Sequence, residues 1–239
     1  MRKKVIFFDI DGTLITEDTQ IIPESTILSL KKAKENGHLL FINTGRTYCS
    51  IPNKINDLKF DGYICGCGTQ IHYNDNIILE KDINQNKCFE IATMLRKYNI
   101  TGIFEGKNAI YFDDKKPLTK ELVEIKKMFI AQGIDVSKNW DDENLDFSKF
   151  VIWFNEKSDK GNFFNFIEDE FDHIDRGNNF FEIVPKGYSK ATGIEFIQNH
   201  LDIELNDCFA IGDSNNDLPM LNYVTNSIVM GNGHPSLFE

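Results

Sequence analysis

The chain has 239 residues, 41% hydrophobic and 26% charged, with 37 acidic against 26 basic side chains and a formal net charge of −11. Such a composition is globular, is long enough for one large domain or two modest ones, and excludes a disordered or fibrous chain. The negative average field opposes binding to nucleic acid or an anionic membrane surface, and no apolar run approaches the length of a membrane span.

Strand-like and helix-like segments alternate from the start. VIFFD, at residues 5–9, is short, apolar and rich in aromatic and β-branched side chains, as a fully buried strand should be. PESTILSLKKAKENG follows as a helix, with Pro23 near its start, apolar Ile27, Leu28 and Leu30 inside, and Gly37 as its stop. HLLFINTG and FDGYICG each repeat the pattern of an apolar strand followed by a turn. Strand, helix, strand at this spacing argues for a parallel sheet with right-handed crossovers.

The pattern changes after about residue 80. KCFEIATMLRKY sets Cys88, Ile91, Ala92, Leu95 and Tyr98 on one helical face. ITGIFEG and NAIYFDD form a hairpin through Gly106-Lys107-Asn108, followed by the helix LTKELVEIKKMFIAQG and a polar stretch, SKNWDDENLDFSK. Strand-like FVIWFNE, helix-like NFFNFIEDEF and the strands DHIDR and FFEIVP close the segment. This order predicts helices on one face of an antiparallel sheet, with the DDKK and DDEN clusters as solvated loop charges. From Ser189 the first style returns, with helix KATGIEFIQNHL, strand CFAIGD, helix NNDLPMLN and strand SIVMG. The fold class is therefore α/β. Residues 1–80 and 187–239 form a discontinuous, Rossmann-like parallel-sheet core, and residues 81–186 form an inserted α+β domain.

The five cysteines, Cys49, Cys65, Cys67, Cys88 and Cys208, are odd in number and lie in apolar surroundings. No secretory signal is read at the start, so these are expected to be reduced core thiols of a cytoplasmic protein. Cys65 and Cys67 lack zinc-ligand spacing.

Four stretches of the outer domain carry reactive side chains at strand ends or helix starts, which converge at one crevice in a doubly wound sheet. Asp9-Ile10-Asp11-Gly12-Thr13 sets two carboxylates at the end of an apolar strand, where burial is costly without a compensating positive charge. Asn43-Thr44-Gly45 offers a hydroxyl and a glycine turn suited to a phosphoryl oxygen, although the same residues also serve as simple caps. Lys190 sits in the first turn of a helix, where the dipole prefers anions. Gly212-Asp213-Ser214-Asn215-Asn216-Asp217 again sets two carboxylates at a strand end. Asp9, Asp11, Asp213 and Asp217, with no histidine cluster, suit a hard oxygen-seeking cation, and Mg²⁺ is the natural candidate. Mg²⁺ and Lys190 together would offset the crowded negative charge.

In this order the four stretches resemble the motifs of the haloacid dehalogenase-like phosphatase superfamily. VIFFDIDGTLI resembles the first, INTGR the second, Lys190 the third and GDSNNDLPML the fourth, and the insertion resembles the cap of the Cof-type subfamily. The resemblance implies that Asp9 is a nucleophile forming an aspartyl-phosphate and that Asp11 is the acid and base for the leaving group and water. It further implies that Thr44 and Gly45 bind the phosphoryl group with Asn216, and that Lys190 holds nucleophile and phosphoryl group in line. Mg²⁺ would be bound by Asp9, the backbone carbonyl of Asp11 and Asp213, with Asp217 in support.

Three departures stand out. Gly66-Cys67-Gly68-Thr69 replaces the family's Asn-Gly-Ala stretch, putting Cys67 where a polar side chain is usual at the site mouth. Relatives commonly continue past HPSLFE through another strand and helix, so the sheet edge is expected to be incomplete. No cap residue announces a substrate, although Arg176, Glu182 and Lys186 fall where the cap returns to the core.

The expected function is Mg²⁺-dependent hydrolysis of a small soluble phosphorylated metabolite, with sugar phosphates among the candidates. The cap would close over the substrate, and the protein would act as a monomer or small homo-oligomer without nucleic acid or membrane partners. The alternatives are a phosphomutase using the same nucleophile and a phosphoacceptor signalling protein that does not turn over.

Overall fold

The computed structural model describes residues 3–16 and 18–238. It divides into two compact units, one formed by Met1–Gly45, Asn56–Glu80 and Tyr188–Glu239, the other by Arg46–Ile55 and Lys81–Gly187. The segment 46–55, read from sequence as part of the outer domain, thus groups with the second unit.

The chain begins with β1 (Val5–Phe8), α1 (Glu24–Glu35), β2 (Leu39–Asn43), α2 (Asn53–Asn56), β3 (Gly62–Cys65), β4 (Gln70–Tyr73) and β5 (Asn76–Glu80). The second unit then contributes α3 (Gln85–Lys97), β6 (Thr101–Glu105), β7 (Ile110–Phe112), α4 (Lys120–Ala131), β8 (Lys138–Asn139), β9 (Lys149–Trp153), α5 (Lys160–Ile167), β10 (Phe171–Asp175) and β11 (Phe180–Pro185). The chain returns through α6 (Lys190–His200), β12 (Cys208–Gly212), α7 (Leu218–Tyr223) and β13 (Asn226–Val229).

The first unit is built on a sheet of order β13-β12-β1-β2-β3-β4-β5. Strands β13 through β3 run parallel, and β4 and β5 complete an antiparallel edge. The apolar runs that marked β1, β2 and β12 in sequence are the central strands, with one face buried and Ile6, Phe209 and Ile211 half-buried on the other. Phe8 of β1 lies opposite Ile42 of β2 and Ile211 of β12, so the next residues of all three strands leave the sheet side by side. Connections diverge in opposite directions from β1, which makes this edge the topological switch point where such sheets place their sites. Phe7, Phe41, Ile64, Ile194, Ile197, Ala210 and Met220 form the core of one face under α6 and α7.

Helix α1 starts after Pro23, with Glu24 in its first turn and Lys32 and Lys34 in its last, as the helix dipole favours. Its inner side is narrower than expected. Leu30 is buried, whereas Ile27 is 43% and Leu28 59% exposed.

The second unit has a sheet of order β10-β11-β9-β6-β7-β8, antiparallel except for the β7–β8 pair. Strand alternation sends Phe104, Phe150, Ile152, Phe181 and Ile183 to one face, where α3 and α5 supply Ile91, Leu95, Phe163 and Ile167. Ile103, Phe112 and Val151 point the other way and meet Leu122 and Phe129 of α4. Helices therefore cover both faces, not one as predicted, because α4 carries an apolar stripe of its own.

The stretch read as polar is also partly core. Trp140, Leu145 and Phe147 are buried, and the ring of Phe104 stacks between Trp140 at 4.4 Å and Phe147 at 4.2 Å. The neighbouring charges are not simply solvated either, since Asp113 and Asp141 both accept hydrogen bonds from the Arg96 guanidinium. None of the five cysteines is joined in a disulfide among the described residues. Among the described residues, no helix is long and apolar enough to cross a membrane.

Candidate active site

The site is assembled at the carboxyl edge of the first sheet. Asp9 directly follows β1, its N–H donating to Ile211 O at 3.0 Å, and its side chain is buried. The chain then folds tightly back, with the N–H groups of Leu14 and Ile15 both donating to Ile10 O at 2.9 Å. Buried Ile10, Leu14 and Ile15 anchor this turn in apolar surroundings. Gly12 has φ +85°, and a Cβ there would lie 2.3 Å from Asp213 Oδ2. Only glycine lets the turn come this close to the second acidic loop.

Lys190 is the first residue of α6, behind a Ser189 cap whose side chain bonds the Thr192 N–H while Thr192 bonds back. The lysine is 1% exposed. Its Nζ lies 2.5 Å from Asp9 Oδ1 and 2.5 Å from Asp217 Oδ1. Its poor match to the helix dipole is thereby explained, because the ammonium serves two buried carboxylates rather than solvent. Asp217 is fully buried, and its other oxygen accepts from the N–H groups of Asp213 and Ser214, each at 2.9 Å. Asp213 accepts from Thr13 Oγ1 at 2.7 Å.

Carboxylate oxygens of Asp9, Asp213 and Asp217 lie within 4.8 Å of one another. Three buried carboxylates against one ammonium leave an excess of negative charge, and the protonation equilibria reflect it. Burial pushes the Asp9 carboxyl up to about 8, with Lys190 opposing and Asp217 and Asp11 reinforcing the rise. Burial alone would lower Lys190, but Asp217, Asp9 and Cys67 outweigh it and hold the ammonium firmly charged. An all-oxygen donor set with surplus negative charge fits a hard divalent cation. Asp217 has a protein donor on each oxygen, Lys190 Nζ on one and two backbone N–H groups on the other.

The other candidates lie on the flanking loops. Asp11 is half-buried and outside the convergent trio, although its charge reaches Asp9. Thr44 and Gly45 follow β2. Thr44 is buried, and its carbonyl accepts from Cys67 N–H at 3.0 Å. Asn216 is buried, with its Oδ1 accepting from Ser214 Oγ at 2.8 Å. Cys67 is buried with φ +55°, between Gly66 and Gly68, which also have positive φ. A Cβ on Gly68 would lie 2.5 Å from Ser189 O, so this turn packs against the start of the helix that carries Lys190.

The sequence marks Asn43 only as part of the turn after LLFI, but it is the last residue of β2. Buried in the core, it donates from Nδ2 to Lys190 O at 2.9 Å and thus ties β2 to the start of α6. In the second unit, Lys149 Nζ lies 3.0 Å from Glu105 Oε1 and 2.5 Å from Glu182 Oε1, a buried trio that the sequence did not reveal. Glu182 also faces Arg176 at 3.6 Å, whereas Lys186 is exposed.

The sequence pattern of the haloacid dehalogenase-like hydrolases matches residues 6–239. The chain belongs to this family. This haloacid dehalogenase-like hydrolase is similar to "Putative phosphatase YkrA" of Bacillus subtilis (strain 168), with 28% identity over all of this chain and 90% of that protein. It also resembles the structure of the subclass IIB sugar phosphatase BT4131, at a TM-score of 0.82 and 27% identity over 99% of this chain and 90% of that one. A haloacid dehalogenase-like hydrolase from B. subtilis shares the fold, at a TM-score of 0.82 and 21% identity over 98% of this chain and 91% of that one. The hydrolase is an enzyme of the phosphatase class.

Proposed function

We propose that this phosphatase hydrolyses small phosphorylated metabolites in the cytoplasm, using Mg²⁺ and an aspartyl-phosphate formed on Asp9. The observation that carries the reading is the buried Lys190 ammonium 2.5 Å from Asp9, beside a second acidic loop bearing Asp213. A carboxylate between an ammonium and a cation is ionised, oriented and able to attack phosphorus.

Bound Mg²⁺, held by Asp9, Asp213 and the Asp11 carbonyl, would supply charge neutralisation for the phosphoryl oxygens. Asp9 attacks phosphorus while Asp11 gives its proton to the departing oxygen, so the ester bond breaks without releasing an alkoxide. Asp11 then takes a proton from water, whose oxygen attacks the phosphorus and releases inorganic phosphate and Asp9. Lys190 holds Asp9 in line, while Thr44, Gly45 and Asn216 bind the non-bridging oxygens. Leaving-group selection belongs to the second unit, acting as the cap. Because one similar structure is a sugar phosphatase, sugar phosphates head the substrate screen.

Purified protein with Mg²⁺ should release phosphate from p-nitrophenyl phosphate, and Asp9→Asn should lower that rate by about 10³-fold or more. A wild-type protein that accumulates phosphate on Asp9 without turnover would instead make it a phosphoacceptor.

A further inference from the structure

After β13 the chain does not leave the site. Met230 N–H donates to Gly212 O at 3.0 Å, and His234 N–H donates to Asp213 O at 2.7 Å. Between them, Asn232 Nδ2 donates to Gly12 O at 3.0 Å. Beyond them, Ser236 Oγ donates to Asn215 Oδ1 at 2.9 Å, with its own N–H capped by His234 Nδ1. Four hydrogen bonds from one seven-residue segment therefore reach both acidic loops. Three go to the loop that begins at Gly212, and one goes to the turn of Gly12.

That last bond differs from the others in what it joins. Gly12 and Thr13 belong to the loop after β1, and Asp213 belongs to the loop after β12. They meet where Asp213 Oδ2 lies against the Gly12 backbone and Thr13 Oγ1 bonds Oδ1 at 2.7 Å. Lys190 lies against Asp9 and Asp217 but makes no ion pair with Asp213, so in the absence of a cation the spacing of the Asp213 loop from the Gly12 turn depends on how their backbones are held. Only Asn232 among the residues of this segment bridges to the first loop, and its amide carries the donor that a carbonyl needs.

We infer that residues 230–236 form a clasp that preorganises the cation site, with Asn232 as its positioning residue through the Gly12 carbonyl. This rests on the cation reading above. Asn232 is exposed, so Asn232→Ala deletes one hydrogen bond without opening the core.

Titration of Mg²⁺ into the whole protein by calorimetry, without substrate, tests the inference. Asn232→Ala should weaken Mg²⁺ about threefold, as loss of one partly solvated hydrogen bond would. Its thermal midpoint in chelator should stay at the wild-type value. Since Asn232 acts through the turn, the loss should shrink in a Thr13→Val background, where the turn has already lost its bond to Asp213. Equal Mg²⁺ affinity in wild type and Asn232→Ala overturns the clasp alone. A lower midpoint with unchanged affinity makes Asn232 merely structural and also overturns it. A wild-type protein that binds no Mg²⁺ overturns the clasp together with the cation reading.

Discussion

At the level of single residues, the chemistry depends on how Asp9 is kept ready. Burial favours its neutral form and Lys190 its charged form, and in the metal-free site burial prevails, with the carboxyl raised to about 8. An unfolded Asp9 titrates near the ordinary value of 3.8, so between 3.8 and about 8 the folded metal-free protein binds more protons than the unfolded chain. Folded stability in chelator therefore falls as pH rises through that window. Mg²⁺ works in the opposite direction, because it must displace the proton before Asp9 can ligate it. We expect the apparent Mg²⁺ affinity to rise about tenfold per pH unit below about 8 and to level off above it. Calorimetric Mg²⁺ titrations at three pH values would show the slope and, from the buffer dependence of the heat, the released proton. A flat affinity from pH 6 to 8 would mean that Lys190 keeps Asp9 ionised without help.

Among the elements, strands β6, β9 and β11 bring Glu105, Lys149 and Glu182 together on one face of the second sheet. Burial raises the Glu105 carboxyl, and Lys149 is the main force holding it down. Lys149→Met would leave two buried carboxylates facing each other, a loss of about 3–5 kcal/mol at neutral pH. Urea unfolding should show that loss, and should show it shrinking in mild acid as a proton is taken up. Adding Glu105→Gln and Glu182→Gln should recover most of the stability. The trio was not legible in sequence because register decides it. Glu105 pairs directly with Lys149, whereas Glu182 pairs with Val151 and reaches Lys149 diagonally. Apolar β1, β2 and β12, by contrast, are legible, since a continuous apolar run bounded by polar turns needs no partner to be recognised. Three of the site stretches, those of Asp9, Thr44 and Asp213, were legible for the related reason that each is a polar break directly after such a strand, whereas Lys190 stood out only by its place in the first turn of α6. What could not be read was the sharing of Lys190 between Asp9 and Asp217, partners 181 and 27 positions away along the chain that meet it only once the chain is folded. Trp140, Leu145 and Phe147 escaped notice because acidic neighbours masked their apolar spacing.

For the whole molecule, two units with separate apolar cores imply two thresholds of stability. The core around Phe7, Phe41 and Ile194 belongs to the first unit, and those around Phe104 and Phe112 belong to the second. The proposed cation ligands Asp9 and Asp213 are both in the first unit, so bound Mg²⁺ stabilises that unit directly. At a free concentration one hundred times its dissociation constant, the gain is about 2.7 kcal/mol. The chain has two tryptophans, Trp140 and Trp153, and both lie in the second unit. Tryptophan emission therefore follows the second unit alone, while far-ultraviolet circular dichroism follows both. Thermal melts with saturating Mg²⁺ and with chelator should show the dichroism transition moving upward with Mg²⁺ and the emission midpoint staying in place. If the two signals instead coincide and move together, the units unfold as one cooperative block, and Mg²⁺ bound in the first also stabilises the fold of the second.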